Sequence, residues 1–231
     1  MNYLEKCSRP DISSAVHQCA RFVADPKVEH GKALKWIGRY LAASKDKGII
    51  YSPKASAGFE GYVDSSFCNN WEQETAEWDA DTARSRTGYV IMISGCPILW
   101  ASKLQTEVAL STTESEYIAL STATREVLLM RELTEEMYQQ GCITQKLHPT
   151  FHCKIFEDNS GAIYLATGVE HPKMRPRTKH INIKYHHFRT KVMDGTLSIH
   201  QVATEDMLAD ILTKNYTEAI LLRLRPLIMG W

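Results

Sequence analysis

The chain has 231 residues, enough for one large domain with an appendage or for two small ones, and its 44% hydrophobic and 23% charged content is globular with material for a sizeable core. Lys plus Arg and Asp plus Glu are equal at 27 each, which excludes a global field that steers the protein to nucleic acid or to a membrane, so any such preference has to be local. The six cysteines (Cys7, Cys19, Cys68, Cys96, Cys142, Cys153) form neither CxxC pairs nor a zinc spacing, and with no signal peptide and no long apolar run they read as reduced thiols of an intracellular, non-membrane protein.

In chain order, Asp11 to Leu41 reads as two helices broken near Asp25-Pro26, with apolar stripes Ile12, Val16, Cys19, Val23 and Leu34, Ile37, Leu41. This hairpin carries no chemical constellation. Gly48 to Tyr51 reads as a short strand, followed by a linker, SPKASAG. Strands are then expected at Phe59–Asp64, Thr87–Ser94 and Pro97–Ser102, with Ser94-Gly95 as the turn between the last two. The polar, acidic stretch Cys68–Arg86 between them reads as a surface loop. A long amphipathic helix follows over Thr112–Tyr138, which lacks Gly and Pro and repeats Leu120, Ala123, Val127, Met130, Leu133 and Met137 at three- and four-residue intervals. After Gly141 the pattern alternates: a strand at Phe151–Glu157, a helix at Ser160–Thr167, a basic helical segment near Lys179–Met193, a strand at Leu197–Val202 and a helix from about Asp206 to Lys214. Three antiparallel strands followed by strand–helix units predict an α/β fold with a mixed sheet covered on both faces.

Four acids stand out against this frame. Extending the stripe of the long helix by four residues reaches Glu116, a carboxylate on the buried face. Glu114, two residues earlier, is turned roughly 200° away and is expected to face solvent or the opposite side. A buried-face acid needs a partner, either a Lys or Arg or a cation. Asp64 ends the first strand. Asp158 follows the strand Lys154–Glu157 at its carboxyl end, where open α/β sheets bind ligands, and its plain alternative is an N-cap. Asp210 lies in the last short helix beside Met207, Ile211 and Leu212, with an exposed helix acid as its plain alternative. Together the four could converge on divalent cations, because Mg²⁺ takes hard oxygen ligands and carboxylates from several elements supply them.

The order of these motifs resembles the ribonuclease H domain of copia-type LTR retrotransposon polyproteins. The resemblance rests on YVDSSF (Tyr62–Phe67), SRTGYVIMISGCPILWASKLQTEVALSTTESEYIAL (Ser85–Leu120), EDNSGAIYLA (Glu157–Ala166), RTKHINIKYHHFR (Arg177–Arg189) and ATEDMLADILTK (Ala203–Lys214). Upstream, NYLEKCSRPDISSAV (Asn2–Val16) and ALKWIGRYLAASKDKGIIY (Ala33–Tyr51) look like the tether that joins polymerase to ribonuclease H. The resemblance implies a ribonuclease H-like, mixed five-stranded α/β sheet with helices on both faces, preceded by a helical tether. It divides the chain into a connection segment at 1–55, the ribonuclease H-like domain at 56–215 and a C-terminal helical tail at 216–231, and places Met1 inside a longer polyprotein. Carried over residue by residue, it makes Asp64, Glu116, Asp158 and Asp210 the catalytic acids and ligands of two Mg²⁺ ions, with Mn²⁺ as a substitute. The implied activity is hydrolysis of the RNA strand of an RNA–DNA hybrid. The implied partners are that hybrid and the polymerase domain of the same polyprotein, and the implied location is a cytoplasmic virus-like particle or the nucleus.

The chain also departs from the pattern. Many relatives carry a His in the loop before the last catalytic Asp, whereas Val202-Ala203-Thr204-Glu205-Asp206 has none, so Glu205 or Asp206 stands in for it or turnover is slower. The Cys68–Arg86 loop is longer than usual for these domains. Tyr62-Val63-Asp64-Ser65 is similar to a polymerase Tyr-x-Asp-Asp turn, but Ser65 removes its second acid. An integrase-type triad shares the sheet, yet the long acid-bearing helix between the third and fourth strands points to ribonuclease H. The non-enzymatic alternative is a catalytically silent or domesticated fragment that binds nucleic acid or a polymerase partner. The intact quartet of acids argues against decay.

Hybrid binding needs local positive charge, and His171–Lys191 supplies Lys173, Arg175, Arg177, Lys179, Lys184, Arg189 and Lys191 with no Asp or Glu among them. His180, His186 and His187 in the same stretch lack a zinc-ligand pattern. Replacing Lys179, Lys184 and Arg189 with Ala is expected to weaken hybrid binding and to flatten its salt dependence, each lost phosphate contact lowering the log–log slope by roughly one. Binding isotherms at several salt concentrations check this. An unchanged slope returns the stretch to a solvated face.

Overall fold

A computed structural model of the chain describes residues 1–54, 57–68, 71, 73–74, 79–143, 152–168 and 186–231. Its centre is β1, Phe59–Ser66, which pairs antiparallel with β2, Arg86–Ile93, and parallel with β4, Cys153–Glu157. β3, Cys96–Leu104, extends the antiparallel side, and β5, Leu197–Gln201, extends the parallel side, giving the order β3-β2-β1-β4-β5. Ser94 and Gly95 both have positive φ, 54° and 76°, as a two-residue turn needs if its twist is to match that of the strands it joins. This is the mixed five-stranded α/β sheet expected from the sequence.

Both faces of the sheet are covered. The helix α4, Thr112–Gln139, lies on one face, where Leu120, Ala123 and Val127 pack with Val63, Ile91 and Ile155 in the larger core. On the other face Val90 and Met92 meet Leu208, Ile211 and Leu212 together with Leu224 and Ile228 of the C-terminal helix Glu218–Met229. Three helices precede the sheet: α1, Asn2–Cys7, α2, Ser13–Ala20, and α3, Val28–Ala43, with Ile12, Val16 and Ile37 as their own small core.

Several expected elements differ. The apolar stripe of α4 is buried only in its first half: Leu133 and Met137 are exposed. A 28-residue helix runs about 42 Å, while β1 and β3, of 8 and 9 residues, span about 30 Å, so the end of α4 outruns the sheet. Gly48–Tyr51 is not a strand. Ile50 N–H donates to the carbonyl of Met229, and the Trp231 indole donates to that of Gly48, so this stretch is held by the chain's C-terminus instead of by the sheet. The expected helix from Asp206 to Lys214 is split into a 3-10 turn at Thr204–Asp206 and a short helix at Asp210–Thr213. Of the basic segment, His186–Phe188 is a 3-10 turn and Arg189–Met193 a helix, and the part before residue 186 lies outside the described residues.

The N-terminal helices also carry chemistry that the sequence did not announce. Glu5 is buried and accepts from Ser13 Oγ at 2.7 Å, while His17 Nε2 lies 3.1 Å from its other oxygen. Arg9 pairs with Asp11 at 2.8 Å and donates to Ser44 Oγ, so the buried charges are matched within the helical segment. Trp100 of β3 donates to the Glu5 carbonyl, and Tyr216 donates to that of Asp11, which ties the segment to the sheet and to the C-terminal region. No helix among the described residues is long and apolar enough to cross a membrane.

Candidate active site

The register of the parallel pair decides where the acids fall. Tyr62 stands opposite Phe156, so two residues further along both chains Asp64 and Asp158 leave the same edge of the sheet side by side. Glu116 enters from the first turns of α4, beneath that edge. Gln105 fixes the junction: its buried amide donates to Thr87 Oγ1 at 3.1 Å and to the Ser115 carbonyl at 2.8 Å, linking β2 to the start of α4. One oxygen from each of Asp64, Glu116 and Asp158 lies within 4.8 Å of the others.

Asp210 joins this group through a cation. Lys214 Nζ lies 2.6 Å from Asp210 Oδ1 and 3.1 Å from Asp64 Oδ1, and the Thr213 hydroxyl donates to Asp64 Oδ2. Glycine at position 88 permits this approach: a Cβ there would sit 2.5 Å from Thr213 Cγ2 and 2.9 Å from Leu212 Cβ. Asp210 is part-buried, in contrast to the exposed helix acid that its surroundings in sequence also allowed.

The electrostatics follow from crowding under burial. Burial raises Asp64 above the ordinary carboxylate range, and Lys214 and Thr213 partly offset it. Asp210 is pushed up to about 6, by burial first and the Asp64 charge second. Glu116 is shifted upward by burial and by the charges of Glu157, Asp64 and Asp158. Lys214 is held more firmly protonated than usual, because Asp64 and Asp210 outweigh the opposing effect of burial.

Glu116 is 4% exposed, and its Oε2 has no hydrogen-bond partner among the described residues. Glu157, fully buried, has one oxygen on Asn159 N–H at 3.1 Å and the other without a partner among the described residues, and burial raises its pKa as well. Buried carboxylate oxygens with no donor are costly in a protein on its own, and a hard divalent cation would satisfy them. The donor set fits such a cation: oxygens only, with no Cys or His in the group.

Of the two places expected for Glu114, solvent is excluded. It is buried, 7% exposed, and its carboxylate accepts from Leu110 N–H at 2.8 Å, while its own N–H donates to Ser111 Oγ, the N-cap of α4. Burial of a helix's first turn under its incoming chain explains this: the acid serves the capping arrangement, which periodicity cannot see. It is not among the acids that cluster. For Asp158, the capping alternative is taken by its neighbour. Asn159 is the N-cap of the helix Ser160–Thr167 and accepts from Ala162 N–H, leaving Asp158 with a 2.8 Å bond from Thr204 Oγ1. Of the basic residues, Lys173, Arg175, Arg177, Lys179 and Lys184 lie outside the described residues. Arg189 is half-buried and donates to the Gly168 carbonyl.

No family model matches the chain. It is 34% identical over 212 residues to the retrovirus-related Pol polyprotein from transposon TNT 1-94 of Nicotiana tabacum, covering 92% of this chain and 14% of that protein. With the Pol polyprotein from transposon RE1 of Arabidopsis thaliana it shares 35% identity over 207 residues, 90% of this chain and 13% of that protein. The chain belongs to the retrovirus-related Pol polyproteins of copia-type transposons. As a Pol segment it spans about a seventh of those relatives' length. Among solved structures, LC11-RNase H1 from compost superimposes with a TM-score of 0.40 at 18% identity, over 68% of this chain and 92% of that one, a likeness too loose to bear on the site.

Sequence reasoning on this Pol segment passed over Lys214, Thr213 and Glu157. The spacing of Lys214 four residues after Asp210 was a usable signal, since such pairs meet on one helix face. Glu157 had only its place beside Asp158.

A raised carboxyl pKa stabilises the folded state below the unfolded value and loses that contribution as pH rises through the folded one, so above the ordinary carboxylate range Glu116 works against folding. Glu116→Gln should therefore raise the metal-free melting stability at neutral pH by on the order of 1 kcal/mol, with the gain shrinking toward pH 4. Thermal melts in chelator across that range check it. A loss of stability at neutral pH would show that Glu116 is held by favourable contacts instead.

Proposed function

We propose that this Pol segment is a ribonuclease H that hydrolyses the RNA strand of RNA–DNA hybrids, with Asp64, Glu116, Asp158 and Asp210 as catalytic acids and ligands of two Mg²⁺ ions, Mn²⁺ substituting. The observation that carries the reading is the convergence of Asp64, Glu116 and Asp158 at the carboxyl edge of β1 and β4, with a buried Glu116 oxygen that has no donor among the described residues. Similarity to Pol polyproteins along nine-tenths of the chain supports it. When bound, such ions supply a water of lowered pKa and neutralise charge on the departing 3′-oxygen.

The chain's own residues do the positioning. Asp64 is held on both oxygens, by Lys214 and Thr213, so its direction is set before any ligand arrives. Glu116 is fixed by burial on a helix pinned through Gln105. Asp158 is the more open acid, steadied by Thr204, and stands where a nucleic-acid strand can approach. Thr204, Glu205 and Asp210 line a cavity of about 540 Å³ with Arg223 and Ile220 of the C-terminal helix, open space next to Asp210.

Within this reading residues 1–55 are the connection to the polymerase domain, 56–215 the nuclease and 216–231 a helical tail. Lys173, Arg175, Arg177, Lys179, Lys184 and Arg189 contact hybrid phosphates. The setting is the virus-like particle or the nucleus, with the polymerase domain of the same polyprotein as partner.

Asp158→Asn is the direct test. Since Asn159 supplies the cap, the change leaves the helix intact and removes one anionic oxygen donor. Mg²⁺-dependent cleavage should fall by about a thousandfold or more, of the size lost when a group stabilising transition-state charge is removed, with the metal-free melting temperature level or higher. Near-wild-type cleavage defeats the assignment.

A further inference from the structure

The acid cluster is not evenly engaged. On one side both oxygens of Asp64 are occupied, Oδ1 by the Lys214 ammonium at 3.1 Å and Oδ2 by the Thr213 hydroxyl, and the same ammonium lies 2.6 Å from Asp210 Oδ1. On the other side Glu116 keeps an oxygen with no hydrogen-bond partner among the described residues. Lys214 follows the last residue of its helix with an extended backbone, yet its side chain folds back between the two acids. Its side chain is 34% exposed against 1% for Asp64 and 15% for Asp210, so the ammonium closes the pair from the solvent side.

A cation placed between two carboxylates does part of what a divalent ion would do there. It neutralises their repulsion and takes up one lone pair on each, and its positive charge, 2.6 Å from Asp210 Oδ1 and 3.1 Å from Asp64 Oδ1, opposes a second cation in the same place. The protein thereby tolerates a buried acid pair without metal, at the cost of a competitor inside the site. We infer that Lys214 is the resident counter-ion of the Asp64–Asp210 side, and that a divalent cation binds on that side only by displacing its ammonium. The two sides of the centre therefore differ in metal affinity because of this one side chain: the ammonium sits between both acids of the Asp64–Asp210 pair, whereas on the Asp64–Glu116–Asp158 side it touches Asp64 alone. This rests on the reading of the four acids as ligands given above and adds to it a residue that sets their relative affinities.

The test needs no substrate. Mn²⁺ is titrated calorimetrically into metal-free wild type, Lys214→Gln and Lys214→Arg, with a thermal melt of each in chelator. Lys214→Gln should strengthen the weaker Mn²⁺ binding by about fivefold or more and lower the metal-free melting temperature, whereas Lys214→Arg, which keeps the charge, should retain the weak class. As a check that does not depend on any variant folding, the side-chain NMR signal of Lys214 in the wild type should shift as Mg²⁺ is added, because its partners are taken. A wild type that binds neither cation overturns the proposed function and this inference together. A wild type that binds Mg²⁺ while the Lys214 signal stays put, or a Lys214→Gln isotherm equal to that of wild type, overturns this inference alone.

Discussion

Like charges held close together out of water are the constraint around which this Pol segment is built. Asp64, Glu116 and Glu157 are each almost completely buried, and Asp158 and Asp210 stand beside them. Such a group cannot be fully ionised without compensation. The structure compensates in three ways: Lys214 and Thr213 serve Asp64, Thr204 serves Asp158, and protonation is favoured at Glu116. The oxygens of Glu116 and Glu157 that have no donor among the described residues are the part of the site that a cation would satisfy.

The fold exists to hold these groups at one edge. Antiparallel pairing of β1 with β2 and parallel pairing with β4 send Asp64 and Asp158 out at the same end. The absence of a side chain at Gly88 lets the segment bearing Asp210, Thr213 and Lys214 close against the opposite face of the sheet. Behind that segment, Ser102 Oγ donates to the Leu212 carbonyl and the buried Arg86 links Ser102 to Gln18 of α2. The N-terminal helices thus brace the element that carries one of the four acids, a connection between the ends of the chain and its centre that runs through hydrogen bonds a few residues from the site.

Much of this was legible in the sequence wherever periodicity carries the information. The strands at Phe59, Arg86, Cys96, Cys153 and Leu197 and the helix from Ser160 have alternation, turns and caps that a window can see. The buried face of α4 was legible at Leu120, Ala123 and Val127 and failed at Leu133 and Met137, because no local pattern states how long the sheet beneath a helix is. Gly48–Tyr51 failed for a related reason: its partners, Met229 and Trp231, lie at the far end of the chain. In the site, the four acids were visible as acids in diagnostic places, while the groups that manage their charge were not. Glu114 stays outside the cluster as expected but is buried there because its carboxylate answers to a cap, and Lys214 was overlooked because a lysine near a helix end is ordinary until Asp64, 150 residues away, is brought to it.

In the proposed function this cluster uses divalent cations to cut RNA paired with DNA. This is tested most directly by incubating the purified chain with an RNA–DNA hybrid labelled on each strand, with Mg²⁺ or chelator, and analysing the ends of the products. Cuts are expected in the RNA strand alone, only with the metal, leaving 3′-hydroxyl and 5′-phosphate ends. Cleavage that persists in chelator, or that leaves a 2′,3′-cyclic phosphate, would contradict it, as would an intact hybrid in the presence of folded, metal-bound protein.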